Sequence, residues 1–73
     1  MTVVRSYEEL VAELAASRNN MGISQRKLAR ATGISQPSVC NALLGTHELR
    51  AQRLFALAHA LGYDLALVPR EDT

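Results

Sequence analysis

The stretch from Ser24 to Gly45 limits the possible folds more than any other part of the chain. Two short helical runs, each opened by a serine and closed by a glycine, follow one another with one tight turn between them. Ser24 is a helix N-cap, and Gln25 to Ala31 reads as a short helix with Leu28 and Ala29 inward and Arg26, Lys27 and Arg30 outward. Thr32-Gly33-Ile34 makes the turn, with Gly33 supplying a positive φ. Ser35 caps a further helix from Gln36 to about Leu44, and Gly45 closes it. Pro37 falls in its first turn, where a missing N–H costs nothing. Helices that meet at a steep angle need a small residue on one side of the crossing and a branched apolar one on the other. Ala29, Ile34 and Val39 supply that pattern, so residues 24–45 read as a helix-turn-helix.

The flanks support it. Ser6-Tyr-Glu-Glu9 is a capping box, in which the serine accepts from the backbone of Glu9 and Glu9 reaches back. Tyr7, Leu10, Val11 and Leu14 then mark one helical face, and Asn19-Asn20-Met21-Gly22 ends that helix. Thr46-His47-Glu48-Leu49 is a linker, and residues 50–61 form a last helix with Leu54, Leu57, Ala58 and Leu61 on one side. Beyond Gly62 the period changes. Tyr63, Leu65 and Leu67 alternate with Asp64, Ala66 and Val68, which predicts a short β-strand over 63–68, stopped by Pro69 and followed by a polar tail over 70–73. The expected fold is mainly α, four to five helices with a short C-terminal β-strand, and 1–73 is one domain. A chain of 73 residues leaves no room for two cores, and most large enzyme folds are excluded.

With aromatics at 4%, the core must come from Leu, Ile, Val and Ala. No apolar run approaches the ~18 residues of a membrane helix, and no basic stretch precedes an apolar one at the N-terminus. Cys40 has no partner for an internal disulfide, and Cys40, His47 and His59 do not fall at a zinc spacing. The expectations are therefore a cytoplasmic protein with no metal, cofactor or membrane contact, steadied by a second copy of itself. No nucleophile–base arrangement is visible, so catalysis is not expected. Cys40 reads as a partly exposed thiol and His59 as a surface or interface residue.

The net charge of +1 hides a segregation. Residues 24–53 carry Arg26, Lys27, Arg30, Arg50 and Arg53 against Glu48 alone, whereas the segments before and after are each net acidic. A basic middle suits a phosphate-binding surface, although charge alone fits a solvated face equally well.

Ser24-Gln25, Leu28-Ala29, Gly33-Ile34-Ser35-Gln36, Ser38-Val39 and Gly45 together resemble the phage repressor and Cro family of DNA-binding domains, over roughly residues 8–62. The resemblance implies a lambda-repressor-like domain whose third helix lies in the major groove of double-stranded DNA. It places Ser35, Gln36, Pro37 and Asn41 toward the bases. Gln25, Arg26 and Ser38 fall toward phosphates, and Thr46, His47 and Arg50 follow where the family touches the backbone. The chemistry agrees, because a Gln or Asn amide matches adenine N6 and N7 in a bidentate pair. Two positions depart from the family pattern. Leu43 stands where an acidic residue commonly pairs with an arginine of the first helix, which leaves Arg18 to phosphate or solvent. Ala42 stands where a larger apolar residue is usual.

The run Leu61-Gly-Tyr-Asp-Leu-Ala-Leu-Val68 resembles the HipB-type antitoxins, in which terminal strands pair across a dimer. That implies a homodimer closed through Tyr63, Leu65 and Leu67. A lone strand leaves its backbone unpaired, and Thr2-Val3-Val4 is the only other strand-like piece, so pairing is with that piece or with another chain. The expected function is a sequence-specific transcriptional regulator, a homodimeric repressor on a palindromic operator. The alternatives are an antitoxin that also binds a toxin protein, and a protein-interaction adaptor that binds no DNA.

Overall fold

A computed structural model describes residues 1–71. Four helices form: α1 (Tyr7–Met21), α2 (Gln25–Thr32), α3 (Gln36–Leu44) and α4 (Ala51–Ala60). Three of the four starts follow from local capping. The Ser6, Ser24 and Ser35 hydroxyls accept from the backbone N–H groups of Glu9, Lys27 and Ser38. The capping box is shifted by one residue: the Glu9 carboxylate takes the N–H of Arg5, at 2.7 Å, in place of that of Ser6. α4 starts at Ala51, one residue later than expected, because its N-cap is Arg50 and no side chain caps it.

The α2–α3 turn is closed from both sides. Gly33 has φ 74 and donates to the Ala29 carbonyl at 2.9 Å. The Thr32 hydroxyl donates to the Leu28 carbonyl at 2.8 Å and accepts from the Ile34 N–H at 3.2 Å. Thr32 thereby carries α2 one residue past its expected end. Ile34 is buried beneath the turn.

The core gathers Leu14, Leu28, Ile34, Val39, Leu57, Ala58 and Leu61, with Leu10, Ala29, Leu43 and Leu54 packed against it. α2 packs on α3 and α4, and α1 packs on α3. Ala42 is buried and Leu43 half-buried, so the position that lost an acidic residue adds apolar area to the core. Two tyrosines tie distant parts together. The Tyr7 hydroxyl accepts from the Leu49 N–H at 3.3 Å, and the Tyr63 hydroxyl donates to Glu13 at 3.1 Å and accepts from the Ser17 hydroxyl.

The strand expected over 63–68 does not form within the single chain. Residues 63–70 run without helix or turn, and the N-terminal arm lies beside them. Among the described residues no backbone hydrogen bond joins the two arms. A strand requires a paired edge, and this chain folded alone offers none. The last two residues of the polar tail, 72 and 73, lie outside the described residues. Among the described residues no helix is long and apolar enough to cross a membrane.

Candidate nucleic-acid interface

The N-terminal end of α3 stands out from the domain. Ser35, Gln36 and Pro37 are all exposed. The Ser35 hydroxyl both accepts from the Ser38 N–H at 3.3 Å and donates to the Ser38 hydroxyl at 2.8 Å, so the cap locks the first turn. The Gln36 side chain makes no hydrogen bond within the described residues, which leaves its whole amide free.

Shallow clefts flank this helix end. Arg18, Ser24, Gln25, Arg26 and Gln36 line one. Ser38, His47, Glu48, Leu49, Arg50 and Arg53 line the other. The structure thus gathers Gln25, Arg26 and Gln36 on one side of α3 and Ser38, His47 and Arg50 on the other. Thr46 and Asn41 form a separate pair toward the C-terminal end. The Thr46 hydroxyl and N–H both donate to the Asn41 carbonyl, at 3.1 and 3.0 Å, and the Asn41 side chain is half-buried with its Oδ1 3.4 Å from that hydroxyl. Asn41 is therefore not assembled with Gln36.

Charge reinforces the asymmetry. α1 carries Glu8 and Glu9 in its first turn, whereas α2, α3 and α4 carry no acidic residue there. Their N-termini keep the positive end of the helix dipole uncompensated. Among the described residues the one ion pair is His59 with Asp64, at 3.9 Å, so no arginine of either cleft is ion-paired, and Glu48 is the single carboxylate that lines one of them. No three His, Cys, Asp or Glu side chains come together there to hold a metal. Cys40 is half-buried on α3 and unbonded to another cysteine.

Arg18 corrects one expectation. It turns neither to phosphate nor to solvent as its first bond: it donates to the Ile23 carbonyl and to Asn19 Oδ1, both at 3.0 Å, and its Nε is buried without a partner. With Leu43 in place of an acid, the guanidinium grips the carbonyl that precedes the α2 cap. Arg53, counted beforehand only in the basic middle of the chain, lines the second cleft. Its signal was present: it follows Arg50 by three residues, the spacing that puts two side chains on one helix face.

Of the terminal residues, Tyr63 is half-buried on α1, Leu65 is 36% exposed and Leu67 is fully exposed. They lie away from both clefts and share no lining residue with them.

The fold and this interface define a helix-turn-helix domain that presents its second motif helix outward between two cationic clefts. Residues 14–68, more than half of the chain, match the helix-turn-helix family. A protein of Haemophilus influenzae, described as an uncharacterised HTH-type transcriptional regulator, is 35% identical over 60 residues, which cover 82% of this chain and 61% of that one. The chain thus aligns with about three fifths of that relative's length. No solved structure matches. The chain belongs to the helix-turn-helix family of the phage repressor and Cro (XRE) type.

Proposed function

We propose that the chain is a sequence-specific DNA-binding transcriptional regulator that acts in the cytoplasm as a homodimeric repressor on a palindromic operator. The observation that carries this is the free α3 N-terminus between two clefts whose arginines have no acidic partner. A helix end of this kind fits a major groove, with phosphates on either side meeting the clefts. Gln36 reads a base edge with its free amide; Ser35 and Pro37 abut the same groove, and Asn41 reaches it from one turn further along. Gln25 and Arg26 hold one backbone strand. Ser38, Thr46, His47, Arg50 and Arg53 hold the other, helped by the uncapped N-terminus of α4. Two such heads, about 34–36 Å apart, read the two half-sites. The transcriptional role described for the Haemophilus influenzae relative is in line with this reading.

The exposed apolar C-terminal arm favours a second reading, an antitoxin that offers that arm to a toxin protein as well as repressing its own operon. Finding a toxin gene beside the gene of this chain would support that reading, and finding none would count against it.

The test is selection of bound sequences from a random duplex library, followed by titration at several salt concentrations. The expected result is a two-fold symmetric consensus. Arg26, Arg50 and Arg53 in each of two protomers give a slope of log K against log salt of about −5. Equal affinity for every duplex, or none for any, sinks the reading and leaves the adaptor alternative.

A further inference from the structure

We propose that the C-terminal arms of two copies pair antiparallel in one register, centred on Leu67, with Asp64 of each copy facing the partner's Arg70. This rests on the homodimer of the preceding section and adds to it the rule by which the chain recognises itself.

The arm is held ready for pairing. The Tyr63 N–H donates to the Ala58 carbonyl at 2.9 Å, and its hydroxyl is fixed to Glu13 and Ser17 on α1. After that anchor, no backbone group from residue 64 to residue 70 has a backbone hydrogen-bond partner among the described residues. Unpaired strand edges of this kind are templates for another strand. An apolar groove of about 220 Å³ lies beside the arm, lined by Val3, Val4, Leu10, Leu14 and Leu65 among others. Leu67 stands wholly in solvent on the alternation that includes Tyr63 and Leu65.

The occupant follows from the arm's own charges. Two copies related by a two-fold axis pair residues whose numbers have a constant sum. Centring on Leu67 sets Asp64 against the partner's Arg70, Ala66 against the partner's Val68, and Leu67 against the partner's Leu67. Centring on Ala66 leaves Asp64 facing the partner's Val68, and moving the axis toward Arg70 takes the apolar run out of the pairing. Only the Leu67 register joins unlike charges and keeps apolar residues together. Pro69 selects the hydrogen-bonding phase. With Leu67 in a non-hydrogen-bonded pair, residues 64, 66, 68 and 70 exchange the bonds, and the N–H that proline lacks points away from the partner. The Leu67 side chains then sit at the close pair, next to the apolar grooves.

The test uses the full chain in sedimentation equilibrium at micromolar concentration, with circular dichroism to confirm folding. The wild-type chain is expected to be dimeric. Asp64→Arg and Arg70→Asp each turn two attractive cross-strand contacts into two repulsive ones, which weakens the dimer by about fourfold or more. Mixing the two variants is expected to yield heterodimers tighter than either homodimer, and the double variant D64R/R70D to return to within about twofold of wild type. Asp64 also lies 3.9 Å from His59, and His59→Ala, which removes that contact and the edge-on packing of His59 against Phe55 but neither charge of the proposed pair, is expected to leave the dimer unchanged. A wild-type dimer whose charge variants bind equally well, or are not rescued by mixing, overturns the register and leaves the homodimer standing. A wild-type monomer overturns both.

Discussion

Gln36→Ala tests the recognition head most directly. The Gln36 side chain is exposed at the start of α3 and makes no hydrogen bond within the described residues, so its replacement changes the fold by no more than a helix-propensity difference of a few tenths of a kcal/mol, in favour of alanine. In a domain of this size that shifts the melting temperature by no more than about 2 °C. A lost bidentate amide–base contact costs about 1–3 kcal/mol, and a dimer on a two-fold operator loses it twice, so about 2–6 kcal/mol in all. The expected effect is about thirtyfold to about twenty-thousandfold weaker binding to the selected duplex. Affinity for random DNA and the salt slope should stay unchanged, because the amide is neutral. Fluorescence anisotropy on specific and random duplexes, with repeated sequence selection, measures all of this. Unchanged preference at every position of the half-site would mean that Gln36 does not read a base. An equal loss on both duplexes would mean that it holds the backbone.

Three further outcomes are expected. Arg53→Ala weakens specific and random DNA alike and lowers the salt slope by about one unit per protomer; a loss confined to the specific duplex would refute a phosphate role. Arg18→Met removes two hydrogen bonds from a charged donor but also frees a buried, unpartnered Nε, for a net loss of about 1 kcal/mol. At fixed protein concentration its melting temperature falls by about 4–8 °C, and an unchanged melt would show that the grip on Ile23 is idle. Leu28→Ala empties a core site that is 1% exposed and costs about 2–5 kcal/mol, a large part of the ~4–11 kcal/mol available to such a domain; chemical denaturation showing a loss under about 1 kcal/mol would place Leu28 outside the core.

The helix ends were the most legible part of the sequence, because each depends on one or two residues acting locally. Ser6, Ser24 and Ser35 open helices where expected, and Gly33 turns between α2 and α3. α4 was placed less well for the same reason: Arg50 gives no capping signal. Leu28, Ile34, Val39, Leu57 and Leu61 were readable from spacing, since burial follows helical period. The Arg18 bond to Ile23 was not, because no periodic pattern marks a side chain that reaches a carbonyl beyond its own helix end. The C-terminal arm shows the remaining limit. Alternation at Tyr63, Leu65 and Leu67 reads as a strand, but a strand also needs a paired edge, and none forms there among the described residues.

The distribution of acidic residues over the helix starts supplies one more prediction. The first turn of α1 lines neither cleft and has its dipole stabilised by Glu8 and Glu9, whereas α2 begins Gln-Arg-Lys in the cleft that Arg18 also lines. An acid in that turn is worth about 0.3–1 kcal/mol to a helix, so α2 forgoes stability that one substitution can restore. Gln25→Glu puts a carboxylate at the first residue of α2, within the cationic cleft, where both the dipole and the two arginines favour it. The free protein should melt higher, by about 1–8 °C at low ionic strength, with the gain shrinking as salt is added. The same carboxylate faces the proposed phosphate, so binding to specific and random duplexes should both weaken. Stability and affinity then move in opposite directions from a single atom-for-atom change of amide to acid. A variant that melts lower, or one that melts higher and binds DNA as well as the parent, would show that the α2 N-terminus does not face the phosphate backbone.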